Sequence, residues 1–306
     1  MNFVFLLKTY TDARIRKISK ERIQAELDKR NIIIVAGFQG INSFGDVTTL
    51  GRGGSDTSAV ALAAAFHADL CQIYTDVDGV YTADPRVVPN AKKLPEITFA
   101  DMLELASQSA QVLHNRSVEL AKKYHVNMEV VSSLKNIPGT KVKEVIKLEK
   151  TNIGGVAKMD NFARFSLVGL EDCPGVAFKV FSLLSRHNVN VDIILQSVGR
   201  GGSKDISFTC PLSSLDDARR VLEENKDMLE YDSIEVDDNV AKISLVGAGM
   251  MTHVSVASDM FEALYDAGIN IQMIATSEIR ISVLVNKDDA NRAIKVVHDK
   301  FSGNED

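Results

Sequence analysis

Arg164-Phe165-Ser166-Leu167-Val168-Gly169 returns later in the chain as Lys242-Ile243-Ser244-Leu245-Val246-Gly247. The echo keeps its order, because Val176-Ala177 and Phe181 answer to Val256-Ala257 and Phe261, and Asn190-Val191 to Asn270-Ile271. An internal repeat of this kind marks one supersecondary unit used twice. Each copy reads as strand, glycine-containing loop, amphipathic helix, two strands and a second helix. That is the pattern of a βαββαβ sandwich, with an antiparallel sheet covered on one face by two helices. Such a sheet needs a fourth strand, since an open edge exposes unpaired backbone groups. The first copy finds it in Asp232-Ser233-Ile234-Glu235-Val236, directly after its second helix. The second copy has only a short polar tail after Phe301, but the repeat also extends backwards. Ile153, Val156 and Asp160-Asn161 anticipate Ile234, Asp237 and Asp238-Asn239. The segment 152–158 is therefore expected to cross over and complete the second copy's sheet, nesting the first unit inside the second.

Upstream of the repeat the pattern changes. Asn31-Ile32-Ile33-Ile34-Val35-Ala36 is a β-branched run ending in Gly-Phe-Gln-Gly and reads as a buried parallel strand. A helix-like stretch at residues 59–67 and a second run, Cys71-Gln72-Ile73-Tyr74-Thr75, follow it, which reads as a βαβ unit with its ligand at the C-terminal strand ends. Helical patterns recur at residues 99–107 and 115–124, and Met128-Glu129-Val130-Val131 reads as a strand before the turn Ile137-Pro138-Gly139-Thr140. The first domain thus ends near Val145. The opening Met1-Asn2-Phe3-Val4-Phe5-Leu6-Leu7 is too short for a membrane span and lacks the features of a signal peptide, so it reads as a strand or as the cut edge of a larger domain.

With 45% hydrophobic residues in 306, the chain can build two or three cores. Its 41 acidic and 35 basic residues, net charge −6, are spread along the chain with no basic block, which excludes nucleic acid as a partner. Three cysteines, Cys71, Cys173 and Cys210, lie far apart without a CxxC pair, and read as buried thiols of a cytoplasmic protein.

Two segments carry chemistry. Gly51-Arg52-Gly53-Gly54-Ser55-Asp56-Thr57-Ser58 precedes the small-residue helix, so its backbone is free to wrap an anion at a helix N-terminus, although it is not a Walker A loop. Arg52 beside such a cradle suits bidentate carboxylate recognition, whereas the plainer reading is a tight turn capped by Ser55 or Asp56. Thr75-Asp76-Val77-Asp78-Gly79-Val80-Tyr81-Thr82-Ala83-Asp84-Pro85-Arg86 leaves the second strand with three carboxylates, a phenol and an arginine. It suits metal, ribose, base and phosphate, or it is an ordinary polar turn.

Taken together these segments resemble the aspartate kinase branch of the amino acid kinase family, almost continuously from Thr11 to Phe301. The substrate loop is matched by Thr48-Thr49-Leu50-Gly51-Arg52-Gly53-Gly54-Ser55-Asp56 and the nucleotide loop by residues 74–86. The resemblance implies a partial amino acid kinase αβα sandwich (residues 1–145), a linker strand given to the second regulatory domain (146–160), and two βαββαβ, ferredoxin-like ACT domains (161–238 and 239–306), an α/β protein throughout. It implies that Arg52 and Asp56 are catalytic, Arg52 pairing with a carboxylate of bound L-aspartate and Asp56 facing its α-ammonium, and that Ser55 and Thr49 line the pocket. It implies that Thr75, Asp76 and Tyr81 hold adenine and ribose of ATP, with Arg86 reaching the phosphates and Mg²⁺ as cofactor. The reaction implied is attack of the aspartate β-carboxylate on the ATP γ-phosphorus, at the head of lysine, threonine and methionine biosynthesis. Glu171-Asp172-Cys173-Pro174-Gly175-Val176 matches the effector loop of the first ACT domain. By that resemblance Asp172, Pro174, Gly175 and Gln196, with Asn270 and Ile271, line a site for lysine or threonine in a homodimer held by its ACT domains.

The chain also departs from the family. No Lys-Phe-Gly-Gly-Thr segment occurs, so a kinase domain lacking its N-terminal part is expected. The family's Gly-Ala-Lys-Val-Leu-His-Pro reads here Ser109-Ala110-Gln111-Val112-Leu113-His114-Asn115, and Val254-Ser255 replace the proline and glycine of the second effector loop. In phosphoryl transfer each lost cation costs about a hundredfold to a thousandfold in rate. The alternative expectation is thus a catalytically impaired regulatory protein that binds ATP or amino acids.

Overall fold

A computed structural model of the chain describes residues 4–6, 10, 11, 13–107, 112–144, 153–198, 202–247, 250 and 255–302. Gln111, His253, Val254 and the whole 146–152 part of the linker lie outside the described residues. The chain divides into two compact units, residues 1–157 with 245–256 and 278–280, and residues 158–244 with 257–277 and 281–306.

The first unit opens with β1 (Val4–Leu6), β2 (Ile15–Ile18), α1 (Glu21–Asp28), β3 (Gln39–Ile41) and β4 (Val47–Thr49). They form a sheet in the order β2-β1-β3-β4, in which β3 and β4 are a hairpin. Asn42 closes that hairpin, its Oδ1 accepting the N–H groups of Phe44 and Asp46 at 2.9 and 3.0 Å. There follow α2 (Gly54–Phe66), β5 (Cys71–Thr75), β6 (Glu96–Thr98), α3 (Phe99–Ser107), α4 (Asn115–Tyr124), β7 (Met128–Ser132) and β8 (Thr140–Lys143). Their sheet runs β5-β7-β8-β6, with β5 parallel to β7 from Cys71↔Met128 to Thr75↔Ser132. Its core gathers Val60 from α2, Ile73 and Val130 from the strands, Met102 and Leu105 from α3, and Val118 and Ala121 from α4. The i, i+3, i+6 spacing of Phe99, Met102 and Leu105 is what puts one face of α3 inward, and all three are buried.

The run at residues 31–36 corrects the sequence reading. It is not a strand, and no βαβ unit leads from it through α2 to β5. Ile32 and Ile34 are each 96% exposed. A β-branched run fixes the tendency to extend, but a strand also needs a ladder partner. No strand among the described residues lies beside this one.

The repeat follows as β9 (Ile153–Met159), β10 (Phe162–Glu171), α5 (Val176–Arg186), β11 (Ile194–Val198), β12 (Ser203–Pro211), α6 (Leu215–Glu224), α7 (Lys226–Leu229) and β13 (Ser233–Asp237), then β14 (Val240–Gly247), α8 (Val256–Asp266), β15 (Met273–Thr276), β16 (Arg280–Asn286) and α9 (Ala290–Ser302). One sheet runs β11-β12-β10-β13 and the other β15-β16-β14-β9. The strand β9, which precedes the first copy, thus lies beside β14 where β13 lies beside β10. The copies share detail as well: Ser166 and Ser207 hydroxyls meet across β10 and β12 at 2.8 Å, as do Ser244 and Ser282 across β14 and β16. The first copy's core centres on Phe165 and Phe208, stacked with ring centroids 5.3 Å apart, with Phe181 edge-on at 5.8 Å. A smaller cluster of Phe162, Ile193, Val240, Met273 and Leu284 joins the two copies. Beside it the buried Lys242 ammonium pairs with Asp192.

Candidate functional site

The glycine-rich loop is shaped by its own backbone. Gly53 caps α2 in the left-handed conformation, φ +65°, and Gly54 N–H donates to the Gly51 carbonyl at 3.1 Å. Inside the first turn Thr57 Oγ1 donates to Gly53 O at 2.9 Å and Ser58 Oγ to Gly54 O at 2.7 Å, while the Phe38 N–H donates to Ser58 Oγ at 3.0 Å. The α2 N-terminus therefore offers unpaired N–H groups and a favourable dipole to an anion. Arg52 is exposed on the turn, and makes no hydrogen bond or ion pair among the described residues. Ser55 Oγ donates to Asp56 Oδ1 at 3.3 Å. Burial raises the Asp56 carboxyl above its ordinary value, opposed by the Ser55 hydroxyl and by the backbone N–H of His114. Thr49 sits at the end of β4, its hydroxyl donating to the Tyr10 carbonyl at 3.3 Å.

The second loop leaves β5 and folds back on residues 92–94. Thr82 N–H donates to Lys92 O at 2.9 Å, Leu94 N–H to Val80 O at 2.8 Å, and Tyr81 bridges Lys93. Thr75 Oγ1 donates to Asp76 Oδ1 at 3.1 Å and the Tyr81 phenol to Asp78 Oδ1 at 2.9 Å. Arg86 forks onto Asp84, with Nε 3.0 Å from Oδ1 and Nη2 2.8 Å from Oδ2, so its guanidinium is already half committed while remaining exposed. Lys135, which sequence reasoning passed over, brings its ammonium 3.8 Å from Asp78 Oδ2. Only its place three residues after β7 hinted at this loop. Among the expected residues of these two loops, hydrogen bonds join only Ser55 to Asp56 and Thr75 to Asp76.

The third loop links β10 to α5. The Asp172 carboxylate takes Lys204 of β12 at 2.7 Å, and Pro174 and Gly175 are exposed, Gly175 capping α5 with φ +98°. Gln196 is exposed on the edge strand β11, while Asn270 (exposed) and Ile271 (half-buried) precede β15.

The cysteines divide: Cys71 and Cys210 are buried, and burial pushes each thiol up to about 11, Cys71 with help from Asp56. Cys173 is partly exposed, which corrects the expectation of three buried thiols; it sits on the effector-like loop, where no strand covers it. No helix among the described residues is long and apolar enough to cross a membrane.

Comparison with known proteins identifies the family of the two regions. Residues 2–132 match the amino acid kinase family, and residues 165–225 and 243–301 each match the ACT domain. The chain is 47% identical over 310 residues to an aspartokinase of Corynebacterium glutamicum, covering 99% of this chain and 74% of the relative. It is 46% identical to an aspartate kinase of Pseudomonas putida, covering 96% and 72%. Among solved structures it is similar to Escherichia coli aspartokinase III in complex with aspartate and ADP, with TM-score 0.82 and 28% identity over 98% of this chain and 68% of that one. It is also similar to the Clostridium acetobutylicum aspartate kinase, with TM-score 0.84, 28% identity, and coverage of 98% and 69%. The same E. coli enzyme has been solved with lysine and aspartate, and matches at TM-score 0.76 and 30% identity over 97% of this chain and 67% of that one.

Proposed function

Because this chain belongs to the aspartokinase family, kinases that join an amino acid kinase domain to paired ACT domains, we propose that it transfers the ATP γ-phosphoryl group to the β-carboxylate of L-aspartate. The observation that carries the reading is the α2 N-terminus, where an uncommitted Arg52 and a half-buried Asp56 flank a glycine cradle. Arg52 suits one carboxylate of the amino acid by its planar fork, and Asp56 suits the α-ammonium by charge. Ser55 and Thr49 line the same loop. The E. coli relative's complex with aspartate and ADP supports aspartate and a nucleotide as the two ligands. Thr75, Asp76 and Tyr81 then face ribose and adenine, and Arg86 reaches the phosphates by exchanging or sharing Asp84.

Among the described residues no three His, Cys, Asp or Glu side chains gather into a metal cage, and Asp78 and Asp84 already have partners. These residues do not fit a protein-held Mg²⁺. An ion arriving with ATP would rest on phosphate oxygens and water.

The ACT pair we read as the sensor of an end-product amino acid, lysine or threonine, at the Asp172–Gly175 loop with Gln196, Asn270 and Ile271, in a homodimer. The lysine complex of the E. coli relative supports an amino-acid effector.

Calorimetric titration tests the site. Arg52→Lys is expected to weaken L-aspartate by about tenfold and ATP hardly at all, because a point ammonium cannot reproduce two parallel hydrogen bonds. Arg86→Ala is expected to do the reverse. Equal losses of both ligands in either variant would count against the assignment.

A further inference from the structure

The turn before α4 closes on the glycine-rich loop from two sides. Arg116, in the first turn of α4, donates from Nη1 to the Leu50 carbonyl at 2.7 Å and from Nη2 to the Ala13 carbonyl at 2.9 Å, fixing the chain just before Gly51. His114 closes the other side. A Cβ built on Gly53 would lie 2.2 Å from His114 Cβ and Cγ and 2.7 Å from Cδ2, so the imidazole lies directly against the Gly53 α-carbon. That contact, with φ +65°, is why position 53 takes no side chain. The same imidazole has a second task. It is the N-cap of α4, its Nδ1 accepting the Arg116 N–H at 3.3 Å, and that bond fixes the ring's orientation. Three residues on from Gly53, the Asp56 carboxylate feels the backbone N–H of His114.

We infer that His114 is a positioning residue for the amino-acid substrate: its ring is the wall that holds the Gly51–Asp56 loop in its binding shape before L-aspartate arrives. The inference rests on the loop's proposed role, and goes beyond it in naming the group outside the loop that pre-forms it. A loop with three glycines in four residues, 51, 53 and 54, loses much conformational freedom when it binds. A rigid wall removes that cost in advance, which is the physical content of preorganisation. Arg116 holds the entry of the same loop, so the start of α4 meets the cradle at Leu50 and at Gly53.

The two tasks of His114 separate by substitution. His114→Asn keeps a good capping acceptor and removes the ring; His114→Phe keeps a ring and removes the acceptor. In the full chain, His114→Asn is expected to melt within a degree or two of the parent, to bind L-aspartate about tenfold more weakly with unchanged ATP affinity, and to show faster amide hydrogen exchange across residues 51–56. His114→Phe is expected to melt lower through its lost cap, yet to recover most of the aspartate affinity and the slow exchange at 51–56. Unchanged aspartate affinity in His114→Asn overturns the inference, whatever the exchange shows. So does a parallel loss of aspartate and ATP, the mark of a merely structural residue. Failure of the aspartate reading itself looks different: Arg52→Lys then leaves aspartate binding untouched, while the exchange at 51–56 still reports whether His114 holds the loop.

Discussion

Thr98 and Asp101 share one hydroxyl at the start of α3. Thr98 Oγ1 accepts the Asp101 N–H at 3.0 Å and donates to Asp101 Oδ2 at 2.8 Å, while Oδ1 is buried with no hydrogen-bond partner among the described residues. The residue is 2% exposed. Burial raises the carboxyl above its ordinary 3.8, Thr98 opposes the shift, and Glu104 adds to it. The sign for stability follows directly. Between 3.8 and the elevated folded value the native state holds a proton that the unfolded chain has released, so stability falls as pH rises through that window. At neutral pH the full cost of the buried charge is present. Asp101→Asn is therefore expected to raise the melting temperature at pH 7, with a gain that shrinks as pH falls through the window and disappears below 3.8. Thermal denaturation across that range checks it, and a gain independent of pH would show that the Asp101 carboxyl titrates alike in the folded and unfolded chain.

At the scale of elements, β9 lies beside β14 and also meets Thr82. Its Val156 N–H donates to the Thr82 carbonyl at 2.7 Å, and a Cβ built on Gly155 would lie 2.7 Å from that same oxygen. A glycine inside a strand often marks such a close backbone approach. Thr82 belongs to the proposed nucleotide loop, so Gly155→Ala is expected to displace that loop and weaken ATP several-fold while leaving L-aspartate unchanged. Titration with both ligands decides it, and undisturbed ATP binding would mean the strand yields instead of the loop. This contact was invisible in the sequence, as was His114 against Gly53, because each joins residues far apart in the chain. What could be read was periodic or local. The helical pattern at residues 99–107 corresponds to α3 and the run Cys71-Gln72-Ile73-Tyr74-Thr75 to β5, with the bounds the structure has. The glycine loop was read as capped by Ser55 or Asp56, but Gly53 is the N-cap of α2 and both residues lie inside its first turn. Residues 31–36 failed because propensity describes one strand and pairing requires two; Ile32 and Ile34 are as β-prone as Ile73 but lack its parallel neighbour on β7.

On the scale of the whole molecule, the order β15-β16-β14-β9 separates two neighbouring strands of one sheet by an entire βαββαβ unit. The backward echo at Ile153 and Val156 was the sequence's trace of this, since β9 and β13 occupy corresponding edges. Every residue of β14 is buried, as befits a strand covered on both sides. Without β9, one line of its N–H and C=O groups and the apolar surface met by Val156 and Ala157 are left open, and an unpaired inner edge invites misfolding or aggregation. A fragment of residues 240–306 is therefore expected to melt without a cooperative transition, whereas residues 151–306 are expected to melt cooperatively. The shorter fragment also loses the cluster around Phe162 and Ile193, so the comparison alone does not single out β9. Adding a peptide of residues 151–160 does: it restores part of the cooperative transition if the missing strand is the cause, and a scrambled peptide of the same composition does not. A cooperative transition in residues 240–306 alone, or no response to the peptide, would show that the second copy's sheet stands without the strand it borrows from ahead of the first.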